Sequence, residues 1–110
     1  MKKGNLMEKQ VVEYLQAHGF PSARRLGQQG AKDKGDVGGL GVPVTLEIKN
    51  CVKLALGQWM GELESEMFNS DHSIGAVIHK RVGKGDPGLQ YVTMDLLSFV
   101  QLLEWMKVDG

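Results

Sequence analysis

The first amphipathic segment of the chain is expected to form a helix at about residues 6–17. Apolar residues recur there at intervals typical of one helical face, at Val11, Val12 and Leu15. Gly19 follows as a C-terminal stop signal. Glu8 precedes this stripe by three to seven residues, which places a carboxylate on or beside the core-facing side. Because an unpaired buried charge is costly, Glu8 either lies at the edge of the stripe, near the positive end of the helix dipole, or has a functional role.

Two further helices are expected in the second half of the chain. At about residues 56–69 an apolar stripe is formed by Leu56, Met60, Leu63 and Met67. The acidic side of this helix is expected to face water. The last helix is expected from Asp95, a candidate N-cap, to about residue 107. Its apolar residues cover more than one stripe, so we expect it to be buried on two sides, and self-association is one way to cover the second side.

Short strands are expected between these helices. Residues 20–26 have a weak extended signal, and the glycine-, glutamine- and charge-rich stretch 27–35 is typical of a mobile loop. Residues 74–79 are expected to form a buried strand, 83–88 a turn and 89–94 a returning strand. With the helices, this order predicts an α/β fold in which a central mixed β-sheet is flanked by helices, in one domain spanning residues 1–110.

A hairpin with chemically distinctive residues is expected before the second helix. Asp36 and Val37 begin a short strand, residues 38–41 turn, and residues 42–49 form a longer strand. Because side chains alternate along a strand, Val44, Leu46 and Ile48 point one way, whereas Thr45, Glu47 and Lys49 point the other. Glu47 and Lys49 are therefore expected to share a face.

The charge balance neither requires nor excludes a polyanionic partner. Thirteen basic and thirteen acidic residues give a net charge of zero, yet basic residues cluster locally, at Arg24, Arg25, Lys32 and Lys34 and again at Lys80, Arg81 and Lys84. The single cysteine excludes an intrachain disulfide and fits a reducing, intracellular setting. The sequence has no long apolar run, so we expect a protein that is neither exported nor membrane-bound and that lies in the cytoplasm.

The candidate chemistry lies in the hairpin, where ten residues separate Asp36 from the Glu47-Ile48-Lys49 sequence. Two carboxylates can hold Mg²⁺, which prefers hard oxygen ligands and retains several waters. A bound divalent cation can neutralise a scissile phosphate and activate water. Lys49 can orient that water or stabilise developing negative charge. The alternative is an ordinary same-face ion pair between Glu47 and Lys49 on a solvated strand.

This motif resembles the signature of the PD-(D/E)XK nuclease superfamily, with Gly35 in the place of the usual proline. The resemblance implies a restriction-endonuclease-like core and a Mg²⁺-dependent phosphodiester hydrolase, in which Mn²⁺ can replace Mg²⁺. It also implies that the peptide oxygen of Ile48 is a further metal ligand. Glu8 and Gln58 correspond to a glutamate on the first helix and a glutamine after the Glu-x-Lys motif, so both are candidate catalytic residues, and Glu8 is also a candidate metal ligand.

Small archaeal and phage Holliday junction resolvases are the most similar group within this superfamily. The early Glu8, the Gly19-Phe20 step and Arg24 or Arg25 occur in the same order, although residues 28–31 lack the serines usual in the resolvase loop. The resemblance implies a homodimer that cuts branched DNA during recombination and repair, in a prokaryotic or phage-infected cell. Candidate phosphate contacts are Arg24, Arg25, Lys32 and Lys34. A flap, restriction-like or virus-type replication-repair nuclease (VRR-NUC), and a non-catalytic DNA-binding module, remain as alternatives.

Several other signals carry little weight. The glycine pattern at residues 83–88 matches a dinucleotide-binding motif only formally, because it precedes a strand and contains a proline. The three histidines lack metal-ligand spacing, and Cys51 has no indicated base partner. Trp59 and Trp105 occupy helical positions that favour a core or interface role.

Overall fold

A computed structural model describes residues 3–27 and 29–109 of the chain. Its helices and strands are α1 (Lys3–Ala17), β1 (Arg24–Arg25), β2 (Val37–Gly38), β3 (Val44–Lys49), α2 (Leu56–Ser70), β4 (Ile74–His79), β5 (Tyr91–Thr93) and α3 (Leu96–Asp109). Short 3₁₀ helices lie at Gly30–Lys32 and Pro87–Leu89. This is an α/β fold, as the order of the sequence patterns predicted. No helix within the described ranges is both long and apolar enough to cross a membrane.

The sheet that organises the fold is mixed, as predicted. Strand β4 is central, with β3 parallel to it on one side and β5 antiparallel on the other. Helix α2 makes the crossover between β3 and β4, the usual connection between parallel strands. Every residue of β4 is buried, which confirms the buried strand expected there. The carboxyl ends of β3 and β4 therefore lie side by side, with Lys49 paired to His79.

The predicted hairpin is only partly correct. Strand β2 pairs antiparallel with β1, not with β3. Asp36 precedes β2, and its N–H donates to the Leu46 carbonyl oxygen of β3 at 2.8 Å. The sequence spacing predicts that the segment at Asp36–Val37 lies near β3. It does not specify which strand that segment pairs with, because strand pairing depends on residues far away in the chain.

Successive side chains of β3 and β4 point to opposite faces of the sheet, and a different helix packs on each face. One face of the sheet packs against α1 in a cluster that includes Met7, Val11, Leu46, Ile48 and Ile78. The other face packs against α2 through Trp59, Leu63 and Val77. Glu47 and Lys49 alternate with Leu46 and Ile48, so they lie on the α2 face. The core position predicted for Trp59 is confirmed, since that residue is only 4% exposed.

One expectation about helix faces is wrong, and another is not tested by the single chain. Helix α2 does not turn all of its acids to water, because Glu66 is buried beside Trp59 and Leu63. Helix α3 begins after the predicted cap, with Asp95 Oδ1 accepting from the Ser98 N–H at 2.8 Å. In the single chain Ser98 is buried, whereas eight apolar residues of α3 are 37% to 74% exposed, so burial of a second side by self-association stays a prediction.

The loop before Asp36 is more structured than its composition suggests. Its middle forms the 3₁₀ helix Gly30–Lys32. The Asn69 amide of α2 donates to the Asp33 carbonyl oxygen at 2.8 Å, and the Ser70 hydroxyl donates to the Lys34 carbonyl oxygen at 3.3 Å. The end of α2 therefore holds the segment that leads into Asp36.

Candidate active site

Asp36 is fixed against β3 by backbone geometry that requires glycine at position 35. Gly35 has a φ of +97°, and a Cβ there would lie 2.8 Å from the Leu46 carbonyl oxygen. Proline, with its φ near −65°, cannot adopt this conformation. The close approach lets Asp36 Oδ2 accept a hydrogen bond from the Ile48 N–H at 2.7 Å. Glycine at position 35 therefore has a local structural reason.

The Asp36 and Glu47 side chains meet, as the motif predicted. Asp36 donates a hydrogen bond to Glu47, and Glu47 in turn donates to Glu66, so three carboxyl groups stand in a row with Glu47 at its centre. Burial, together with the hydrogen bond and negative charge of Glu47, raises the pKa of Asp36 to about 8. Burial also raises the pKa of Glu47 to about 7. The row therefore holds protons at pH values where exposed carboxyls are ionised.

Glu66 is a site residue that the sequence analysis missed. Its side chain is 6% exposed, and no described donor reaches its buried Oε1. Burial raises the pKa of Glu66, and the negative charges of Asp33 and Asp36 add to the rise. The signal was present in the sequence: Glu66 follows Leu63 by three residues and Trp59 by seven, so it continues the stripe that those two define.

Lys49 reaches the same region from β3 and is held by an acid of α2. Its Nζ lies 3.0 Å from Oε1 of Glu62. Burial alone would lower the pKa of Lys49, but the ion pair with Glu62 and the negative charges of Glu47 and Asp36 outweigh it, so the pKa is raised. Lys49 is thus charged and lies within the field of the carboxyl row. Glu62, like Glu66, was not singled out from the sequence.

Of the two outlying candidates, Glu8 lies near the carboxyl row. Burial and the negative charge of Asp36 raise the pKa of Glu8, while Arg25 opposes the rise. Arg25 Nε donates to Glu8 Oε1 at 3.3 Å. Gln58 is exposed in the first turn of α2, and among the described contacts none connects it with the row. The catalytic roles of both residues stay predictions.

The predicted basic residues all precede Asp36 in the chain, and part of that stretch contacts it. The Leu26 N–H donates to the Asp36 carbonyl oxygen at 3.0 Å, which ties the end of the Arg24–Arg25 strand to the site. Lys32 and Lys34 are exposed on the segment that leads into Asp36. All four cations are thus exposed, and all lie in the stretch of chain that leads to Asp36.

The site contains oxygen donors of the kind that divalent cations prefer, and metal binding there stays a prediction. Asp36 and Glu47 supply hard oxygen ligands of the kind that Mg²⁺ prefers. The site has one nearby lysine, Lys49, and four acids, which are Asp36, Glu47, Glu62 and Glu66, so full ionisation would leave excess negative charge. In addition, Oε1 of Glu66 is buried and has no hydrogen-bond partner among the described residues. The three carboxyls form a row rather than a ring: no group of three or more His, Cys, Asp or Glu side chains in the described ranges surrounds one point suited to a metal ion. Ile48 touches the row through its N–H, and ligation by its carbonyl oxygen stays a prediction.

Comparisons with protein-family models, curated proteins and solved structures found no match to this chain. Any functional assignment therefore rests on the motif and on the arrangement of these residues.

Proposed function

We propose that this protein is a metal-dependent endodeoxyribonuclease of the PD-(D/E)XK type, with a restriction-endonuclease-like core. The observation that carries the proposal is the contact between the Asp36 and Glu47 carboxyls, with Lys49 on the same face one pleat repeat further along β3. An ordinary surface ion pair would not bring the half-buried Asp36 into contact with the buried Glu47. A site that binds a cation would explain why acidic side chains outnumber basic ones here.

Each residue of the site has a role that follows from its position. Asp36 and Glu47 would hold Mg²⁺ or Mn²⁺, with the Ile48 carbonyl oxygen as the further ligand that the superfamily resemblance implies. The cation supplies charge neutralisation at the scissile phosphate and lowers the pKa of water. Lys49 stabilises negative charge that develops on the phosphate, and Glu62 orients its ammonium group through the 3.0 Å ion pair.

The proposed substrate is DNA, and branched DNA is favoured by the similarity to Holliday junction resolvases. The exposed cations of the stretch that precedes Asp36 can bind backbone phosphates near the scissile bond; they are Arg24, Arg25, Lys32 and Lys34. Contacts of this kind position a duplex without reading its sequence. Because the proposed substrate is DNA undergoing recombination or repair, we place the protein in the cytoplasm of a prokaryotic or phage-infected cell.

We also propose that a second copy of the chain covers helix α3. Its eight exposed apolar side chains together present several hundred square ångströms, comparable with the roughly 800 Å² that each partner contributes to a standard interface. The zero net charge means that two copies do not repel strongly. A homodimer would bring two sites to the two strands of a junction.

Cleavage of defined DNA substrates tests the proposed activity. Wild-type protein with Mg²⁺ is expected to cut a four-way junction, and comparison with flap and linear duplex substrates separates a resolvase from other nucleases. Asp36→Asn, Glu47→Gln and Lys49→Met should each lower the cleavage rate by at least about 100-fold. Glu64→Gln, an exposed acid on α2, serves as the matched control and should cut normally. If wild type cuts none of these substrates, or Asp36→Asn cuts as fast as wild type, the proposal is wrong.

Metal binding separates a nuclease from a DNA-binding module that keeps the fold without the chemistry. Calorimetric titration with Mn²⁺ at pH 8 should give binding to wild type that Glu47→Gln abolishes. A non-catalytic module predicts no site-specific binding in either protein.

The oligomeric state tests the role of α3. Light scattering should give twice the 12.1 kDa chain mass for wild type. Leu97→Lys, on the exposed surface of α3, should give a monomer, whereas Val82→Lys, also apolar and exposed but in the turn after β4, should remain dimeric. A wild-type monomer at micromolar concentration would contradict the homodimer.

A further inference from the structure

A surface that the proposed site does not use lies at the carboxyl ends of β3 and β4. The loop after β3 and the turn after β4 form the walls of an open cavity of about 330 Å³ there. The Lys80 N–H donates to the Lys49 carbonyl oxygen at 3.0 Å, so the cavity adjoins the end of the Glu-x-Lys motif. We call its lining the Tyr91 surface, which includes Val52, Leu54, Lys80, Arg81, Val82 and Tyr91.

Tyr91 presents an aromatic ring that is exposed and also held in place. The residue is 55% exposed. Its ring meets the ring of the buried His79 edge to face, with 6.1 Å between the centroids, and His79 Nε2 is hydrogen-bonded with Thr93 Oγ1 at 2.7 Å. The guanidinium carbon of Arg81 lies 4.3 Å from the centroid of the Tyr91 ring, and Arg81 Nη1 donates to the Leu89 carbonyl oxygen at 3.2 Å. A ligand that stacks on this ring therefore meets a platform that is already ordered.

The chain around Tyr91 is basic although the protein has no net charge. Residues 50–54 and 80–91 form the two walls of the cavity and carry four cations but only one acid. The cations are Lys53, Lys80, Arg81 and Lys84, and the acid is Asp86. Asp86 Oδ1 accepts from the Gly88 N–H at 2.9 Å, so it is occupied within its own turn. The local charge therefore complements a polyanion.

Apolar side chains beside the ring distinguish this surface from a simple phosphate-binding patch. Val52, Leu54 and Val82 are between 62% and 82% exposed. A duplex offers base edges in its grooves, whereas its base faces are stacked on one another. An unpaired strand offers base faces, and proteins bind such strands through aromatic rings for the bases and cations for the backbone. The combination of ring, apolar walls and cations fits an unpaired strand better than a duplex.

The strand register places Tyr91 close to the candidate active site. Lys49 is paired with His79, and His79 with Tyr91, so the three residues form one row across the sheet. Residues directly opposite each other point to the same face, which is the α2 face that also holds Glu47. Neighbouring strands are about 4.8 Å apart, so the backbones at Lys49 and Tyr91 are about 10 Å apart. A stacked strand covers that distance with about three nucleotides, at about 3.4 Å each.

We propose that the Tyr91 surface binds an unpaired DNA strand, with one base stacked on Tyr91 about three nucleotides from the scissile phosphate and with Lys80 and Arg81 on the flanking phosphates. The position relative to a scissile phosphate rests on the proposed function, whereas the binding itself needs neither metal nor cleavage. The substrate feature recognised is a strand that leaves a duplex, as at a flap or an open branch point.

The competing explanation is that Tyr91 and Arg81 only pack on the edge of the sheet, or that a second protein chain covers the apolar side chains. Both alternatives predict that DNA binding does not depend on the ring of Tyr91. The alternatives and the proposal therefore differ in a binding measurement.

The experiment is fluorescence anisotropy of a labelled oligodeoxythymidylate of about 12 nucleotides, titrated with the full-length protein in EDTA so that no cleavage occurs. Wild type should bind this strand more tightly than a duplex of the same length. Tyr91→Ala should weaken the binding by about 5- to 150-fold, the range for loss of one stacked base. Tyr91→Phe keeps the ring and should bind within about twofold of wild type. Phe68→Ala removes an exposed aromatic residue of α2 and should bind as wild type does.

The salt dependence of the same binding separates stacking from charge. Lys80→Gln should make the slope of log affinity against log salt concentration shallower by about 0.7, the value for one phosphate contact on a single strand. Tyr91→Ala should lower the affinity at every salt concentration and leave the slope unchanged. Circular dichroism and urea unfolding confirm that each variant is folded before titration.

A folded Tyr91→Ala that binds the single strand as tightly as wild type, or a wild type that prefers the duplex, overturns the inference. So does a wild type that binds no DNA and loses self-association in Tyr91→Ala, because a second chain then covers the surface. If wild type still cuts DNA in any of these cases, the proposed nuclease stands. If wild type cuts no DNA but Tyr91→Ala loses single-strand binding, the proposed nuclease fails and the Tyr91 surface stands.

Discussion

Replacing Asp36 by asparagine should stabilise the metal-free protein at alkaline pH while destroying the proposed site. The pKa of Asp36 rises from 3.8 to about 8 on folding, mainly because the group is buried. At about 1.36 kcal/mol per tenfold change, ionising this carboxyl in the native state costs at most about 6 kcal/mol. Relaxation of the site reduces the cost, so we expect Asp36→Asn to gain about 2–3 kcal/mol at pH 8. Asparagine keeps the acceptor for the Ile48 N–H and can donate to Glu47.

The gain should depend on pH in a defined direction. Because the folded-state pKa is raised, the native protein holds the proton more tightly than the unfolded chain, and the stability this provides is complete below about pH 4 and lost as pH rises towards 8. The difference between Asp36→Asn and wild type should therefore be small at pH 5 and largest at and above pH 8.

Urea unfolding in EDTA, followed by circular dichroism at pH 5, 6.5 and 8, measures this difference. Asp71→Asn changes an exposed aspartate at the end of α2 and serves as the control variant in the same measurements. If Asp36→Asn is less stable than wild type at pH 8, or if its advantage does not change with pH, the description of a buried, proton-sharing pair is wrong.

Three further predictions concern the elements that support the site. In urea titrations, Gly35→Ala should lower the free energy of unfolding by about 2 kcal/mol more than Gly41→Ala. Both glycines have a positive φ, but only a Cβ at position 35 would meet backbone atoms. Equal losses in the two variants would contradict the close approach of Gly35 to β3. Trp59→Ala should cost about 3–5 kcal/mol in the same assay, against less than about 1 kcal/mol for the exposed Phe68→Ala, and a small loss at Trp59 would mean that the α2 core is misassigned. With Mn²⁺ at one hundred times the dissociation constant of the site, the free energy of unfolding of wild type should be about 2.7 kcal/mol higher than in EDTA. A variant of Asp36 that cannot bind metal should unfold with the same free energy in both solutions.

The sequence alone was sufficient for the local elements and for part of the site. Apolar periodicity predicted α1, α2 and the buried strand β4, since each depends on which residues of one short segment face the core. Strand alternation predicted that Glu47 and Lys49 share a face. The motif spacing predicted that Asp36 would meet Glu47, and this contact is present.

Only the tertiary structure decided which surfaces came together. Strand β2 joined β1 because strand pairing depends on distant partners rather than on the hydrophobic pattern of one segment. Glu66 turned inwards because the stripe of α2 is defined by Trp59 and Leu63, whose contacts with the sheet determine the rotation of the helix. Helix α3 remained largely exposed because its apolar composition indicates only that something covers it, and the folded single chain covers little of it. Local patterns depend on neighbours in the chain, whereas a buried carboxyl row depends on the packing of separate elements.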